Sequence, residues 1–204
     1  MLLGDKIMMI HLASKSTQSN LNRFTSDQVQ PNAIDLRVES IHQKAQKPFA
    51  IDEDEKLHRG ISACPMKDDY YLLENGVYEI IMQGIISIGP NEAGYVITRS
   101  TLNRNGLFIT SGLYDSGYSG VMAGALHVSG GPASIKKGTR VGQFLLFKAE
   151  SIKQYDGDYG TGSDHDQEYT NFEDNSKQME MIYYDKGKEW EFAKDGTLVE
   201  KKEK

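Results

Sequence analysis

The 204-residue chain has one cysteine, one tryptophan and five prolines, and it has no surplus of positive charge. Its 23 Lys and Arg stand against 29 Asp and Glu, giving a net charge of −6. A lone Cys64 excludes an internal disulfide, and no Cys/His group has the spacing of a zinc site. The acidic balance argues against sequence-independent binding to a nucleic-acid backbone, which needs a net basic face to release counterions. No apolar run nears the roughly 18 residues that span a bilayer. The opening MLLGDKIMMIHLA is interrupted by Asp5 and Lys6 and precedes no clear cleavage site, so it does not read as a signal peptide. The expectation is a cytoplasmic protein with neither nucleic acid nor membrane as partner.

The acid that is present is unevenly placed. Residues 1–150 hold 15 acids and 15 bases, whereas residues 151–204 hold 14 acids and 8 bases. A neutral main body leaves room for a small phosphorylated ligand held by a few converging arginines and backbone amides. The run Asp52-Glu53-Asp54-Glu55 reads as a solvated loop. Residues 4–12, with Leu3, Ile7, Ile10 and Leu12 at loose helical spacing, read as a short helix.

From Ile34 onward the pattern is β. IDLRVESI, VYEIIMQGIISI, GYVITRS, VMAGALHVS and RVGQFLLFKA are short Val/Ile/Leu/Tyr-rich runs separated by Asn75-Gly76, Gly89-Pro90-Asn91 and Gly130-Gly131-Pro132. Strands at this spacing, without a long helical period between them, predict an all-β jelly-roll or distorted barrel over residues 1–155. Residues 156–204 read as a Gly/Asp-rich arm followed by an acidic extension. Its end, MEMIYYDKGKEWEFAKDGTLVE, alternates like a terminal hairpin with Trp190 as anchor.

Four segments carry chemistry: QPNAIDLRV (30–38), TRSTLNR (98–104), GLYDSGYSG (112–120) and GTRVGQFLLF (138–147). In this order they resemble the superfamily that unites dUTPases with dCTP deaminases. That resemblance implies a β-rich homotrimer that binds a pyrimidine deoxynucleoside triphosphate with magnesium at subunit interfaces. The Gln-Pro before Asp35-Leu36-Arg37, and RSTLNRNGL with its second arginine Arg104, look like the deaminase branch. GLYDSGYSG is instead close to the dUTPase form. Deaminases carry a catalytic glutamate ten residues after the motif aspartate, and ten residues after Asp115 stands Ala125. An alanine cannot shuttle a proton, so the retained chemistry favours hydrolysis of dUTP to dUMP and pyrophosphate. The alternatives are a dCTP deaminase or related pyrimidine hydrolase, and a nucleotide-binding regulator without turnover.

The resemblance assigns the site residue by residue. Asp115 is the candidate base for the attacking water, although Asp-Ser-Gly is also good turn chemistry. Arg99 and Ser100 would bind phosphate, the guanidinium as a bidentate fork and the hydroxyl as a donor, and Arg104 would bind the substrate. Gln143 would donate to phosphate, or else is a polar residue on a half-buried strand. Tyr118 would lie against the deoxyribose and exclude a 2′-hydroxyl, or else is core. Asp35 would hold magnesium through water, or else pairs with Arg37 or Arg99. The small residues Gly112, Gly120, Ala123, Gly124 and Ala125 would let a base approach the backbone of the strand after Tyr118. In YDGDYGTGSDHD (155–166), Tyr159 would replace the stacking phenylalanine of the dUTPase C-terminal arm, but the arm's arginine is missing and a flexible linker is the other reading.

Overall fold

The computed structural model describes residues 10–11, 18–21, 24–51, 56–57, 59–157, 159–160, 190–192 and 198–200. The strands are β1 (Ile10–His11), β2 (Ile34–Lys44), β3 (Ala50–Ile51), β4 (Lys56–Leu57), β5 (Ile61–Ala63), β6 (Met66–Lys67), β7 (Tyr70–Leu73) and β8 (Gly76–Ser87). After β9 (Glu92–Thr98) comes the helix α1 (Ser100–Arg104), then β10 (Leu107–Thr110), β11 (Ser119–Val128), β12 (Ala133–Lys136), β13 (Arg140–Lys148), β14 (Trp190–Phe192) and β15 (Leu198–Glu200). The main sheet has the order β1-β13-β2-β8-β11-β10, with β5 added on β2 and β9 on β13. This is the expected all-β, barrel-like architecture. Among the described residues no helix is long and apolar enough to cross a membrane.

The core follows from the alternation in the long strands. Ile34, Leu36 and Val38 of β2, Ile80 and Ile86 of β8, Leu126 of β11 and Val141, Phe144 and Leu146 of β13 are all completely buried. Each such side chain contributes on the order of 1.5–3 kcal/mol over an exposed one. Close packing also dictates a small residue at Gly94, where a Cβ would stand 2.4 Å from the Phe144 ring. The β8–β11 register breaks between Val121 and Ala123, so that Met82, Gln83 and Gly84 oppose Met122 alone. Gly84 takes the positive φ of +83° at this irregularity, a conformation that costs glycine little.

Three details depart from the sequence reading. Ile10 and His11 of the expected N-terminal helix form a strand, paired with Phe147 and Leu146. β2 stops pairing with β13 at Phe144, and β1 takes up the backbone groups beyond that point. The rest of the expected helix lies outside the described residues. Ser100 ends no strand but opens α1, and β6 and β7 form a tight hairpin whose turn residues Asp68 and Asp69 have φ of 52° and 66°. At the C-terminus, β14 and β15 do pair antiparallel as a hairpin. The packing of Trp190, its expected anchor, lies outside what is described.

Candidate active site

Three adjacent strands bring the first group of residues together. β13 lies between β2 and β9, with Gln143 directly opposite Asp35 on one side and Gly142 opposite Thr98 on the other. The Gln143 Nε2 donates to Asp35 Oδ1 at 3.0 Å. Arg99, which follows Thr98 at the end of β9, places its Nε 3.2 Å from Asp35 Oδ2. The Arg140 Nη1 lies 3.5 Å from the same oxygen. Asp35 has no exposed surface, whereas the two arginine side chains are 29% and 33% exposed. One buried carboxylate thus anchors two guanidinium groups that still reach solvent, an arrangement suited to gripping phosphate oxygens.

Asp35, expected to hold magnesium through water, has no exposed surface, and two cations face its Oδ2, a buried atom without a hydrogen-bond partner. Magnesium prefers several oxygen ligands in an octahedron. Among the described residues no three His, Cys, Asp or Glu converge on such a position. Of the two pairings weighed for Asp35, the one with Arg99 forms, while Arg37 instead pairs with Asp27 and donates to the Gly138 carbonyl at 2.8 Å. Arg140 was not singled out from sequence. It sits three residues before Gln143 in the quoted motif, and the irregularity between Arg140 and Gly142 accompanies its turn toward Asp35.

Asp115 belongs to a second group. It is exposed, in the turn between Tyr114 and Tyr118, and the Tyr118 amide donates to its carbonyl at 3.0 Å. It lines an open cleft of about 510 Å³ with Ala93, Leu113, Phe147 and residues 149–157. Arg99, Arg140 and Gln143 do not line that cleft. Ala93, the second residue of β9, and Thr98, its last, are five residues apart, or about 17 Å at ~3.3 Å per residue. A single chain thus separates its arginine pair from its exposed acid.

The remaining expected residues divide. Ser100 and Arg104 are exposed at the two ends of α1, outside the Asp35 cluster. Tyr118 is 5% exposed and sits in the core, its hydroxyl donating to the Val121 carbonyl at 2.7 Å. Its ring packs on Tyr114 at 5.0 Å and meets Tyr155 edge-on at 5.5 Å. Tyr118 is therefore not an open wall for a sugar here, because Tyr155 lies against its ring. Tyr159 is exposed, and its amide donates to the Tyr155 hydroxyl at 3.2 Å. The rest of the expected arm, residues 161–166, lies outside the described residues.

The small residues of β11 also acquire causes. A Cβ at Gly124 would stand 2.5 Å from the Thr110 carbonyl oxygen, so close strand approach alone requires glycine there. Ala125 pairs with Thr110 on one side and Glu79 on the other. The Glu79 carboxylate is itself paired with Lys44. Beside it, His42 is pulled below its usual pKa of 6.5 by burial, with Glu79 opposing the shift and Lys44 adding to it.

A β-barrel with these motif residues on adjacent strands belongs to a defined class. Residues 5–149 match the dCTP deaminase-like family model, and the chain is a member of that family. It is 32% identical over 139 residues to a probable deoxyuridine 5′-triphosphate nucleotidohydrolase of Halobacterium salinarum, covering 65% of this chain and 83% of that one. It is 30% identical over 153 residues to the deoxyuridine 5′-triphosphate nucleotidohydrolase of Methanocaldococcus jannaschii, covering 72% and 97%. A dCTP deaminase of Acidianus ambivalens is 26% identical over 140 residues, covering 69% and 80%.

Proposed function

We propose that this protein hydrolyses dUTP to dUMP and pyrophosphate. The observation that carries the reading is the pair of positions Asp115 and Ala125: an exposed acid is kept in the hydrolase position, and a methyl group stands where a deaminase needs its glutamate. In the reaction Asp115 accepts a proton from a water whose oxygen attacks the α-phosphorus. The bond from that phosphorus to the α,β-bridging oxygen breaks, and pyrophosphate leaves. Arg99 and Arg140 offset the charge that gathers on the phosphate oxygens, held in place by Asp35. Magnesium belongs in this reading to the triphosphate, whose oxygens are the hard ligands it prefers.

The wide spacing of Asp115 and the arginine pair along β9 supports a homotrimer in which one copy supplies the acid and another the arginines. A second reading, deamination of dCTP, draws on Glu79, the cross-strand neighbour of Ala125. Its pairing with Lys44 makes it a poor proton shuttle. Incubating each deoxynucleoside triphosphate, dUTP included, with magnesium and scoring pyrophosphate and ammonia separately tests both. Pyrophosphate from dUTP without ammonia is expected. Ammonia from dCTP would transfer the assignment to deamination, and no product from any substrate would leave a binding protein.

A further inference from the structure

Arg37 of β2 stands directly opposite Arg140 of β13. Like charges that face each other across a ladder destabilise it, so this pair needs anions beside it. Asp35 supplies one, and Asp27, in the turn that precedes β2, supplies the other. The Arg37 Nη2 lies 2.5 Å from Asp27 Oδ2, and the Arg140 Nη1 donates to the Asp27 backbone carbonyl at 2.5 Å. A hydrogen bond from the Thr25 hydroxyl, together with the charges of Arg37 and Arg140, holds the Asp27 carboxyl below its usual range.

The two acids differ in how firmly they hold. Asp35 has no exposed surface, whereas the Asp27 side chain is 52% exposed. An ion pair to so open a carboxylate is screened by water and easily exchanged. The turn does not depend on it either. The Gln28 and Val29 amides donate to the Thr25 carbonyl, the Asp35 amide donates to the Gln28 carbonyl at 2.8 Å, and the Gln28 Nε2 donates to the Asp35 carbonyl at 3.0 Å. Arg37 keeps its direction without Asp27, because its Nη1 donates to the Gly138 carbonyl at 2.8 Å. Its side chain is 32% exposed, beside 29% for Arg99 and 33% for Arg140. Three guanidinium groups thus reach solvent to a similar degree, and Arg37 is the one paired with an acid that water already surrounds.

We propose that Arg37 is a third phosphate-binding arginine beside Arg99 and Arg140, and that Asp27 is the internal anion that occupies it until a polyphosphate takes its place. The inference rests on the phosphate-binding reading of Arg99 and Arg140 given above and adds a residue and its competitor. In the exchange a phosphate oxygen accepts from the Arg37 Nη2, and the Asp27 carboxylate turns into water. Asp27 therefore lowers the affinity for any phosphate chain that reaches Arg37, whatever base the chain carries.

The test is titration calorimetry of the full chain with inorganic tripolyphosphate. Asp27→Asn keeps the backbone carbonyl that Arg140 uses and frees Arg37, so it should bind about two- to fivefold more tightly, the scale of releasing one exposed ion pair. Arg37→Gln should bind more weakly than the unaltered protein, and in its background Asp27→Asn should lose most of its effect. Equal or weaker binding by Asp27→Asn would make Asp27 a structural tie and overturn the proposal. Tighter binding that persists undiminished without Arg37 would be general repulsion and would overturn it too. Should Arg37→Gln not fold, the Arg37 Nε–H resonance of the unaltered protein decides. It should shift with tripolyphosphate and not with chloride at equal ionic strength; any other pattern overturns the exchange. A protein that releases no pyrophosphate from dUTP but shows the Arg37-dependent gain would lose the hydrolase assignment and keep the third arginine. Pyrophosphate release without that gain would do the reverse.

Discussion

Asp35→Asn isolates the charge that holds the arginine pair. Asparagine keeps the size of the side chain and an oxygen for Gln143, whose amide now sits 3.0 Å from Oδ1. It removes the negative charge 3.2 Å from Arg99 and 3.5 Å from Arg140. Removing one partner of a fully buried ion pair costs about 3–5 kcal/mol. Here only the carboxylate is fully buried, and the arginines, 29% and 33% exposed, regain part of their hydration when released. A loss of roughly 2–3 kcal/mol is therefore expected, discounted from that range for solvent exposure. For a chain of this size that lowers Tm by about 5–10 °C. Urea unfolding at fixed protein concentration measures it, because an oligomer's stability depends on concentration. In a double-mutant cycle, Arg99→Gln should cost less in the Asp35→Asn background than alone. An Asp35→Asn variant as stable as its parent would show that the cluster holds nothing in place.

Asp115→Asn keeps the shape of the candidate base but cannot accept a proton, so kcat for dUTP should fall about 10²–10⁴-fold while the nucleotide still binds; an unchanged rate in stopped-flow or coupled pyrophosphate assay would make Asp115 a turn residue. His42 has its pKa lowered by burial, so its contribution to stability is complete above 6.5 and is lost as the pH falls through 6.5 toward the folded-state value. Urea midpoints should therefore drop between pH 7.5 and 5.5, and His42→Gln should flatten that slope. Burial pushes the Cys64 thiol up to about 12, so it should resist a thiol reagent at pH 8 in the native protein and react on unfolding. Light scattering should give three times 22.8 kDa, and a monomer that still turns over dUTP would refute assembly of the site from several copies.

The long strands were legible because their residues alternate on one period and one face of each is buried. Ile34–Lys44, Gly76–Ser87 and Arg140–Lys148 fall where the apolar runs and turn signals put them. The pairing of Ile10–His11 was not, since two residues carry no period and the strand exists only because β13 has a free stretch of edge beyond β2. Within the site, Asp35, Arg99 and Gln143 were legible as motif residues, but their mutual contacts depend on cross-strand register, which a sequence does not display. Arg140 was missed for that reason. Tyr118 carries two sequence readings, a wall for the sugar or core, and nothing in the motif reveals that Tyr155 returns to lie against its ring.

The placement of the acid and the arginines bears on how such a chain could change its chemistry. The group proposed to grip phosphate rests on β2, β9 and β13, and each member is fixed by a neighbour: Gln143 across from Asp35, Arg99 at the end of β9, Arg140 on the same oxygen. The groups that would decide between attack at phosphorus and attack at the base lie elsewhere, in the turn at Asp115 and on β11 at Ala123 and Ala125. Replacing a glutamate by Ala125 in β11 disturbs no ion pair of the phosphate group and leaves the ladder to Thr110 and Glu79 intact. A proton shuttle for deamination is thus removable without loosening the triphosphate grip. The reverse does not hold, because loss of Asp35 removes the carboxylate that both arginines share.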